Sequence, residues 1–487
     1  MNIVDLILYQ CRRQPPAAAI CAPGSGIDLI SYRHLERAIH NVSRRLHGFG
    51  LPRGGVVAVT IDDVTFHAIV LLAAIRLGMI TLSLGASDVP PFAVDVLVCL
   101  AKRPTALPAG RTLVADQTWL EGDGRPLEPH LLPATDGNDI CRLILTSGTS
   151  STAKAVPLTH DLLARRMARH VTFGNRLANC SRIYSDVPIG SSLGFQFFIH
   201  ALSRGGLAVF AGDDFYSTLR VIEDCRVECL VGSPGGFENF LRWVEETPSY
   251  QTNIKVIVCA GDVLSPSLSA RLRSRICSHL VSIYGSTEVS MSAVANGHEI
   301  SAIPRAVGFV TPGVTIQIID AAGALLPPGQ EGRLRIKSEF SAGGYFRNPD
   351  ETAKVFRDGW FYPGDLGTLD ADGLLIITGR EHAVLNLGGD KVSPELIEAA
   401  LTQFPGIVEA AAVAMPNAFG NNEVCAVLVA HEKIDPRVLR EYCATRVPRQ
   451  FMPVRYVFVE AIPRNENGKV DRRRLQESIA RTSSPAA

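Results

Sequence analysis

The run ILTSGTSSTAKAVPLTH, at Ile144–His160, contains the residue types that bind phosphate. A strand-like stretch leads into a turn rich in hydroxyls and ending at Lys154, with the members Thr146, Ser147, Gly148, Thr149, Ser150, Ser151 and Thr152. Backbone N–H groups of a tight turn, several hydroxyls and one ammonium suit a polyphosphate. The Walker A spacing GxxxxGK[ST] is absent from this run, so the turn predicts a phosphate site of a different kind.

Four further segments combine turn residues with ionisable side chains, and they follow this run in order. They are IYGSTEVS (Ile283–Ser290), WFYPGDLG (Trp360–Gly367), TGREHAVLNLGGDKVSPELIE (Thr378–Glu398) and PRNENGKVDRRRL (Pro463–Leu475). Each segment alone is an ordinary turn. Their occurrence together indicates one reaction centre assembled from distant parts of the chain.

The elements that position these segments alternate between helix and strand in the first part of the chain. SYRHLERAIHNVSRRLHGFG has helical periodicity and ends at Gly50, a C-cap residue. Strand-like runs lie at Val56–Ile61, Leu207–Phe210, Cys229–Val231 and Ile254–Cys259. This βα alternation predicts a mostly parallel sheet covered by helices. Short strands with turn residues follow from about Val307, and helix and strand patterns follow Arg380.

Composition excludes several classes of function. The 487 residues carry 48 Lys plus Arg and 48 Asp plus Glu, and 46% are hydrophobic. Because the net charge is zero, we expect no nucleic-acid partner. No apolar run approaches the ~20 residues that a membrane span needs. The 11 cysteines are scattered, and the CxxxC pair Cys225 and Cys229 has no second ligand pair at metal spacing. We therefore expect a cytoplasmic protein with structural thiols.

The ordered motifs resemble the adenylate-forming superfamily of acyl- and aryl-CoA synthetases, peptide-synthetase adenylation domains and luciferases. The sequence is most similar to a stand-alone acyl- or aryl-acid CoA ligase. The resemblance implies an α/β fold, with an N-terminal ATP- and acid-binding domain of helix-covered sheets plus a small β-rich subdomain over residues 1–379. A small mobile α+β domain over residues 380–487 would carry the adenylation lysine. The implied reaction is ATP-dependent formation of acyl-AMP with release of pyrophosphate, then transfer to a thiol.

The resemblance also implies roles for individual residues. Those implied to bind ATP are Thr146, Ser147, Gly148, Thr149, Ser150, Lys154, Tyr284, Gly285, Asp365 and Arg380. Glu288 would bind Mg²⁺, Thr287 would approach the α-phosphate, and Lys469 would be the catalytic lysine, while His382 occupies the hinge position. The reaction brings two anions together, so positioning and placed positive charge would lower its barrier.

Two of the motifs depart from the family pattern. In the phosphate loop, Ser151 and Ala155 replace glycines and Ala153 replaces a proline, which restricts the backbone. In the hinge motif, Ala383 and Asn386 stand where the family often has Asp and Lys. These changes leave a catalytically silent relative that only binds nucleotide or acid as an alternative, and the missing Lys bears on the thiol-transfer half-reaction.

The acid pocket is expected beside Ser191, where CoA synthetases often carry an aromatic or His gate. Ser192 stands where peptide-synthetase domains place an Asp for the substrate's α-amino group, and an unpaired buried ammonium is costly. We therefore expect a non-amino acid, aryl or medium acyl. The other residues expected to line the pocket are Phe195, Gly232, Ser233, Ala260 and Gly261.

The thiol acceptor is expected to come from outside the chain. No carrier domain follows Lys469, and LGGDKV, which resembles a phosphopantetheine site, has Lys391 at the serine position. CoA is the simpler acceptor, and a stand-alone ligase loading a separate carrier protein is the alternative. A luciferase-like oxygenase has no support in the sequence beyond the shared fold.

Overall fold

The computed structural model describes residues 1–85, 88–100, 109–146, 153–173, 177–212, 214–247, 250, 252–303, 305–381, 385–387, 390–416, 422–465 and 469–483. The chain divides into two units. Unit 1 comprises Met1–Pro304, Thr311–Thr315 and Lys337–Phe361, and unit 2 comprises Arg305–Val310, Ile316–Ile336 and Tyr362–Ala487. The predicted domain boundary after residue 379 stays a prediction.

The described residues form thirteen α-helices: α1 (Val4–Arg13), α2 (Tyr32–Gly48), α3 (Val64–Arg76), α4 (His160–Phe173), α5 (Ser192–Ser203), α6 (Phe215–Asp224), α7 (Pro234–Glu246), α8 (Pro266–Arg275), α9 (Gly297–Ala302), α10 (Pro349–Val355), α11 (Pro394–Leu401), α12 (Pro436–Ala444) and α13 (Arg472–Ser483).

The same residues form twenty-six strands: β1 (Ala18–Cys21), β2 (Leu29–Ser31), β3 (Val56–Thr60), β4 (Ile80–Ser83), β5 (Val94–Cys99), β6 (Ala109–Val114), β7 (Ile140–Thr146), β8 (Lys154–Thr159), β9 (Arg182–Ser185), β10 (Leu207–Val209), β11 (Cys229–Gly232), β12 (Val256–Ala260), β13 (Leu280–Ser286), β14 (Ser290–Asn296), β15 (Ala306–Val310), β16 (Val314–Ile319), β17 (Gly332–Ser338), β18 (Phe356–Arg357), β19 (Trp360–Phe361), β20 (Asp365–Leu369), β21 (Leu374–Arg380), β22 (Leu385–Leu387), β23 (Asp390–Val392), β24 (Ile407–Pro416), β25 (Asn422–Ala430) and β26 (Arg455–Phe458).

Unit 1 contains two mostly parallel sheets. One has the order β6-β5-β3-β4-β7-β8, and the other contains the run β14-β13-β12-β11-β9-β10-β1-β2. All five residues of β3 are buried, and α3 is buried on nearly every side, since eleven of its thirteen residues are buried and most of them are apolar. Continuous apolar strands and helices of this kind are typical of parallel sheets covered on both faces. The predicted helix-covered sheet is confirmed.

The sequence also located individual elements. Ser31 caps α2, and Gly50 follows the helix with φ of 65°, its N–H donating to His47 O at 2.9 Å. The predicted C-cap is therefore confirmed, since glycine adopts this left-handed conformation without a Cβ clash. The predicted strands after residue 200 correspond to β10, β11 and β12, with ends displaced by at most two residues.

Unit 2 joins an antiparallel β-rich part to an α+β part. In the first, β15 pairs with β21, β21 with β20, and β20 with β17. In the second, β24 and β25 are antiparallel, β26 is parallel to β25, and α11, α12 and α13 are the helices. The alternating strand patterns and the helix pattern of the C-terminal sequence correspond to these elements.

Two further findings concern membrane-crossing helices and the state of the cysteines. None of the helices in the described parts of the chain is both long and apolar enough to cross a membrane. All eleven cysteines are free thiols, and only Cys225 and Cys277 are partly exposed.

Candidate active site

Three parallel strands of unit 1, β11, β12 and β13, end side by side. The register pairs Gly232 with Cys259 and Ala260 with Ile283. The carboxyl ends of adjacent parallel strands are where α/β proteins bind ligands. This edge therefore brings together two predicted pocket residues, Gly232 and Ala260, and the predicted nucleotide residue Tyr284.

The turn after β13 carries the residues predicted to act on the α-phosphate and on magnesium. Thr287 and Glu288 follow Ser286, the last residue of β13, and precede β14. At Gly285 a Cβ would stand 2.1 Å from the carbonyl oxygen of Ser290. Only glycine fits so close an approach, so the glycine of the YGSTE motif shapes the turn that presents Glu288.

Arg166, a fully buried residue of α4, holds this turn in place. Its guanidinium donates to the carbonyl oxygens of Thr287 and Glu288 at 3.0 and 3.1 Å. It also donates to Phe340 O, from Nε at 3.1 Å and from Nη2 at 2.7 Å. Burial lowers the pKa of Arg166 to about 9, which leaves the group charged at neutral pH. A charged donor shared by three carbonyl oxygens fixes the turn more firmly than a neutral one would.

The side chain of Glu288 is held by Tyr345. The Tyr345 hydroxyl donates to Glu288 Oε1 at 2.9 Å, and Glu288 is only 8% exposed. Burial, and then the neighbouring Glu288, raise the pKa of Tyr345 above its ordinary value, so the phenol remains a donor at neutral pH. Nζ of Lys154 lies 5.2 Å from the centroid of the same ring. Tyr345 thus links the lysine predicted to bind phosphate to the glutamate predicted to bind magnesium.

Lys154 is ion-paired with a residue of α10. Its Nζ lies 2.7 Å from Glu351 Oε2, and Lys354 pairs with the other carboxylate oxygen. Hydrogen bonds from Lys154 and Lys354 lower the pKa of Glu351 to about 2. The carboxylate therefore already engages the ammonium that the sequence predicts for phosphate, and a phosphate group reaching Lys154 must compete with it.

The two ends of the predicted phosphate loop close a hairpin. Thr146 ends β7, Lys154 begins β8, and the two residues are paired, with Thr146 Oγ1 donating to Lys154 O at 3.4 Å. Ala155, which replaces a glycine of the family pattern, is buried in β8. The other residues predicted in this loop, Ser147, Gly148, Thr149 and Ser150, lie outside the described residues.

Asp365 and Arg380, both in unit 2, form an ion pair. Asp365 begins β20 and Arg380 ends β21, where they are antiparallel partners. Arg380 Nε lies 3.0 Å from Asp365 Oδ1, and Asp365 is 5% exposed. The carboxylate predicted to accept the ribose hydroxyls is therefore oriented by the cation predicted beside it. The predicted hinge residue His382 lies outside the described residues.

Lys469 lies in a turn of unit 2 that its own neighbours close. Asn465 N–H donates to Lys469 O at 2.8 Å, and Lys469 N–H donates to Asn465 Oδ1 at 3.0 Å. Arg464 and Val470 form an antiparallel bridge at the base of the turn. These contacts fix the backbone N–H and C=O groups of Lys469, the predicted catalytic lysine.

Two hydroxyls of the predicted acid pocket cap helices. Ser191 caps α5, its Oγ accepting from Gly194 N–H at 3.1 Å and donating to Pro188 O at 2.8 Å. Ser233 caps α7, its Oγ accepting from Gly236 N–H at 3.2 Å. Both side chains therefore have a structural task at the start of the helices that follow β9 and β11.

The other predicted pocket residues differ in environment. Phe195 is fully buried, and its ring centroid lies 4.7 Å from Cζ of Arg142. Arg142 in turn donates to Ser83 Oγ at 2.8 Å and to Ile189 O at 3.2 Å, which holds the loop before α5. Gly261 follows β12 with φ of 102°, a conformation that favours glycine.

Sequence reasoning missed Arg166, Tyr345 and Glu351. Tyr345 is separated from its partner Glu288 by 57 residues, and Arg166 from Glu288 by 122. One available signal was the spacing of Arg166 and Arg169, which places both on the apolar face of α4, where a charge needs a partner.

The residues present fit a magnesium ion. Mg²⁺ in nucleotide sites takes one or two carboxylates together with substrate phosphates, and Glu288 supplies a buried, oriented carboxylate. Among the described residues no group of three or more His, Cys, Asp or Glu side chains is clustered to hold a metal alone. A site completed by ATP phosphates agrees with both observations.

Comparisons with known proteins cover nearly the whole chain. The family model described as AMP-binding enzyme matches residues 8–346, and that of the AMP-binding enzyme C-terminal domain matches residues 396–469. The 4-chlorobenzoate–CoA ligase of Arthrobacter sp is 29% identical over 98% of this chain and 95% of its own. The 3-hydroxybenzoate–CoA ligase of Aromatoleum sp. (strain CIB) is 26% identical over 98% and 97%. The solved structure of ATP-bound MatB from Rhodopseudomonas palustris has a TM-score of 0.78 at 25% identity, covering 99% of this chain and 100% of that one.

Proposed function

Because the chain belongs to the family of AMP-binding enzymes, we propose that it converts a non-amino carboxylic acid, aryl or medium acyl, into its acyl-adenylate and then its CoA thioester. It is an AMP-forming acid–thiol ligase that uses ATP. The proposal concerns the class of acid, the acceptor and the residues that act.

The first half-reaction joins two anions. A carboxylate oxygen of the acid attacks the α-phosphorus of ATP, a new P–O bond forms, and the bond to the β-phosphate oxygen breaks as pyrophosphate leaves. Lys469 supplies an ammonium to the phosphoryl oxygens, and the Thr287 hydroxyl donates to the α-phosphate. Positive charge and donors placed in advance stabilise the charge that develops there.

Two residues of unit 1 hold the triphosphate. Lys154 binds the β- and γ-phosphates after exchanging Glu351 for a phosphate oxygen. Glu288, oriented by Tyr345, would hold Mg²⁺, which would supply positive charge to the phosphates.

Asp365 accepts hydrogen bonds from the ribose hydroxyls while its ion pair with Arg380 orients it. An ionised carboxylate is acceptor-only, which suits a pair of hydroxyl donors. In the second half-reaction a thiol sulfur attacks the acyl carbon, a C–S bond forms, and the C–O bond to AMP breaks.

The class of acid follows from Ser192. At this position a peptide-synthetase domain would place an Asp against an ammonium, whereas the Ser192 hydroxyl accepts from Gln196 Nε2 at 2.9 Å. A neutral hydroxyl already engaged in this way offers an α-amino group no ionic partner. The choice of CoA is supported by the relatives that are themselves named as benzoate–CoA ligases.

The observation that carries the proposal is the hydrogen bond between Tyr345 and Glu288 beside Lys154, because it joins the carboxylate proposed to bind magnesium and the ammonium proposed to bind phosphate in one network. The test is acid-dependent exchange of labelled pyrophosphate into ATP with pools of aryl, acyl and amino acids. We expect exchange with an aryl or acyl pool, and consumption of the productive acid on addition of CoA.

Each other outcome has a definite meaning. Exchange only with amino acids contradicts the proposed acid class. Exchange without consumption of CoA contradicts the proposed acceptor and favours a carrier protein. Absence of exchange from folded protein that binds ATP contradicts the proposed catalysis.

A further inference from the structure

An apolar cavity of about 20 Å³ lies in unit 1 between one face of β12, β13 and β14 and the helices α4 and α5. This volume accommodates about one water molecule or one small substituent. The lining is hydrophobic except for His170, a residue of α4 that the proposed reaction does not use.

The sheet side of the cavity continues to the predicted acid pocket. Val258 is paired with Val281, and Ile283 is paired with Ala260 on one side and Val294 on the other. Directly paired residues point to the same face of a sheet, so these five side chains form one surface. Four of them line the cavity, and the fifth, Ala260, is a predicted acid-pocket residue at the end of β12. The cavity is therefore the deep end of the surface on which the acid is expected to lie.

His170 is a neutral imidazole with unused hydrogen-bonding capacity. It is 7% exposed, and burial lowers its pKa to about 3, with His200 adding to the effect. Its Nδ1 makes no hydrogen bond of normal geometry among the described residues, while a weak interaction with the Gln196 side chain partly opposes the lowering of the pKa. The ring packs against Phe197, the other aromatic side chain of the cavity wall, with centroids 4.5 Å apart.

Gln196 extends the polar character from His170 toward the predicted pocket. Its Nε2 donates to Ser192 Oγ at 2.9 Å and to Ser192 O at 3.1 Å. Its Oε1 is buried and makes no hydrogen bond of normal geometry within the described ranges. His170 is therefore the polar side chain in the described lining of the cavity, and the Gln196 side chain lies close enough to act on its pKa.

Resting on the proposed function, we propose that the acid carries a hydroxyl group at the end remote from its carboxylate, and that this hydroxyl enters the cavity and hydrogen-bonds to His170. A hydroxyl oxygen is the size of the water that the cavity admits. A neutral ring offers no charge to a second carboxylate, and an amine would enter only at the cost of its desolvation. His170 is then a specificity-determining residue.

The experiment compares acids that differ only by hydroxyl against methyl. The probes are the three monohydroxybenzoates with the three methylbenzoates, and ω-hydroxyhexanoate with heptanoate, each measured by kcat/KM for pyrophosphate exchange. We expect wild type to prefer one hydroxy acid over its methyl counterpart by about tenfold or more, because a buried acceptor left unpaired is penalised. His170→Phe is expected to lower kcat/KM for the hydroxy acid. The ratio of kcat/KM for the hydroxy acid to kcat/KM for its methyl counterpart should then be close to one.

Two further variants separate recognition from packing. His200→Phe changes a buried neighbour whose ring centroid lies 5.9 Å from that of His170 but which does not line the cavity, and it should leave the ratio unchanged. His170→Asn keeps an acceptor and should retain part of the preference. Should His170→Phe fail to fold, nitrogen NMR of the wild-type histidine rings gives the same test. The His170 signal should shift with the hydroxy-acyl sulfamoyl-adenosine and not with its methyl counterpart.

Three results overturn the inference while leaving adenylation established. They are exchange with a hydroxyl-to-methyl ratio near or below one in wild type, an unchanged ratio in His170→Phe, and an unshifted His170 resonance. If none of the acids supports pyrophosphate exchange, the proposed function is overturned instead, and this inference falls with it.

Discussion

Glu288 in unit 1 and Lys469 in unit 2 are held by contacts of different range. The backbone of Glu288 accepts from Arg166, 122 residues away, and its carboxylate accepts from Tyr345, 57 residues away. The backbone of Lys469 is fixed by Asn465, four residues away. Buried groups that position Glu288 over long range also contribute to the stability of the fold. A side chain presented by a locally closed turn can be removed without loss of stability. Substitutions in the two regions should therefore differ in how they divide between stability and rate.

The largest expected effect is on rate alone. Lys469→Ala should reduce acyl-adenylate formation about a thousandfold, because it removes the charge proposed to stabilise the phosphoryl oxygens. The free energy of unfolding should change by less than about 0.5 kcal/mol. Pyrophosphate exchange and denaturant unfolding measure the two quantities, and Lys433→Ala, at an exposed position of unit 2, is the matched control. Exchange at the wild-type rate would remove Lys469 from the mechanism.

The second effect combines stability and rate. Arg166→Met should destabilise the protein by about 3 kcal/mol, because three buried or half-buried carbonyl oxygens lose a charged donor. It should also slow exchange, since the Thr287–Glu288 turn loses its support. Arg165→Met alters the exposed neighbour on the same helix and should do neither. A stable Arg166→Met variant with full activity would show that the hydrogen bonds from Arg166 to this turn have no role.

The third effect concerns magnesium. Tyr345→Phe keeps the ring beside Lys154 but removes the hydroxyl that orients Glu288. Loss of such an outer hydrogen bond should raise the Mg²⁺ concentration for half-maximal exchange by about tenfold. Tyr216→Phe, at an exposed position, serves as the control. An unchanged magnesium dependence would contradict the proposed role of Glu288.

The smallest effect concerns Glu351. Glu351→Gln should lower KM for ATP about threefold, since Lys154 no longer leaves an ion pair to bind phosphate. The pKa of Glu351 is lowered from 4.5 to about 2, so its stabilisation is complete above pH 4.5 and is lost as the pH falls toward 2. The melting temperature of the wild type should therefore exceed that of the variant at about pH 6, and this difference in melting temperature should be smaller at about pH 3. A difference that grows on acidification would contradict the ion pair.

The fold was predictable where its signal is local. The helical period before Gly50 and the apolar runs of β3, β10, β11 and β12 identify their elements because the period of the pattern is the period of the structure. Motif residues such as Glu288 could be identified by resemblance, and their roles stay predictions. Arg166, Tyr345 and Glu351 could not, because each acts through a partner far along the chain.

The same limit explains His170. Its position on the inner face of α4 follows from helical spacing, but the cavity exists only because β12, β13 and β14 pair in one register. The sequence alone gave no reason to connect a histidine of α4 with the surface that ends at Ala260.

The most direct test of the central claim follows the oxygen atoms of the acid. The productive acid, labelled with ¹⁸O in its carboxylate, is converted with ATP and CoA, and the AMP formed is examined by mass spectrometry. Attack of the carboxylate on the α-phosphorus, followed by thiol attack on the acyl carbon, predicts one ¹⁸O atom in each AMP. Unlabelled AMP, or label in inorganic phosphate with ADP as the product, would contradict the acyl-adenylate route.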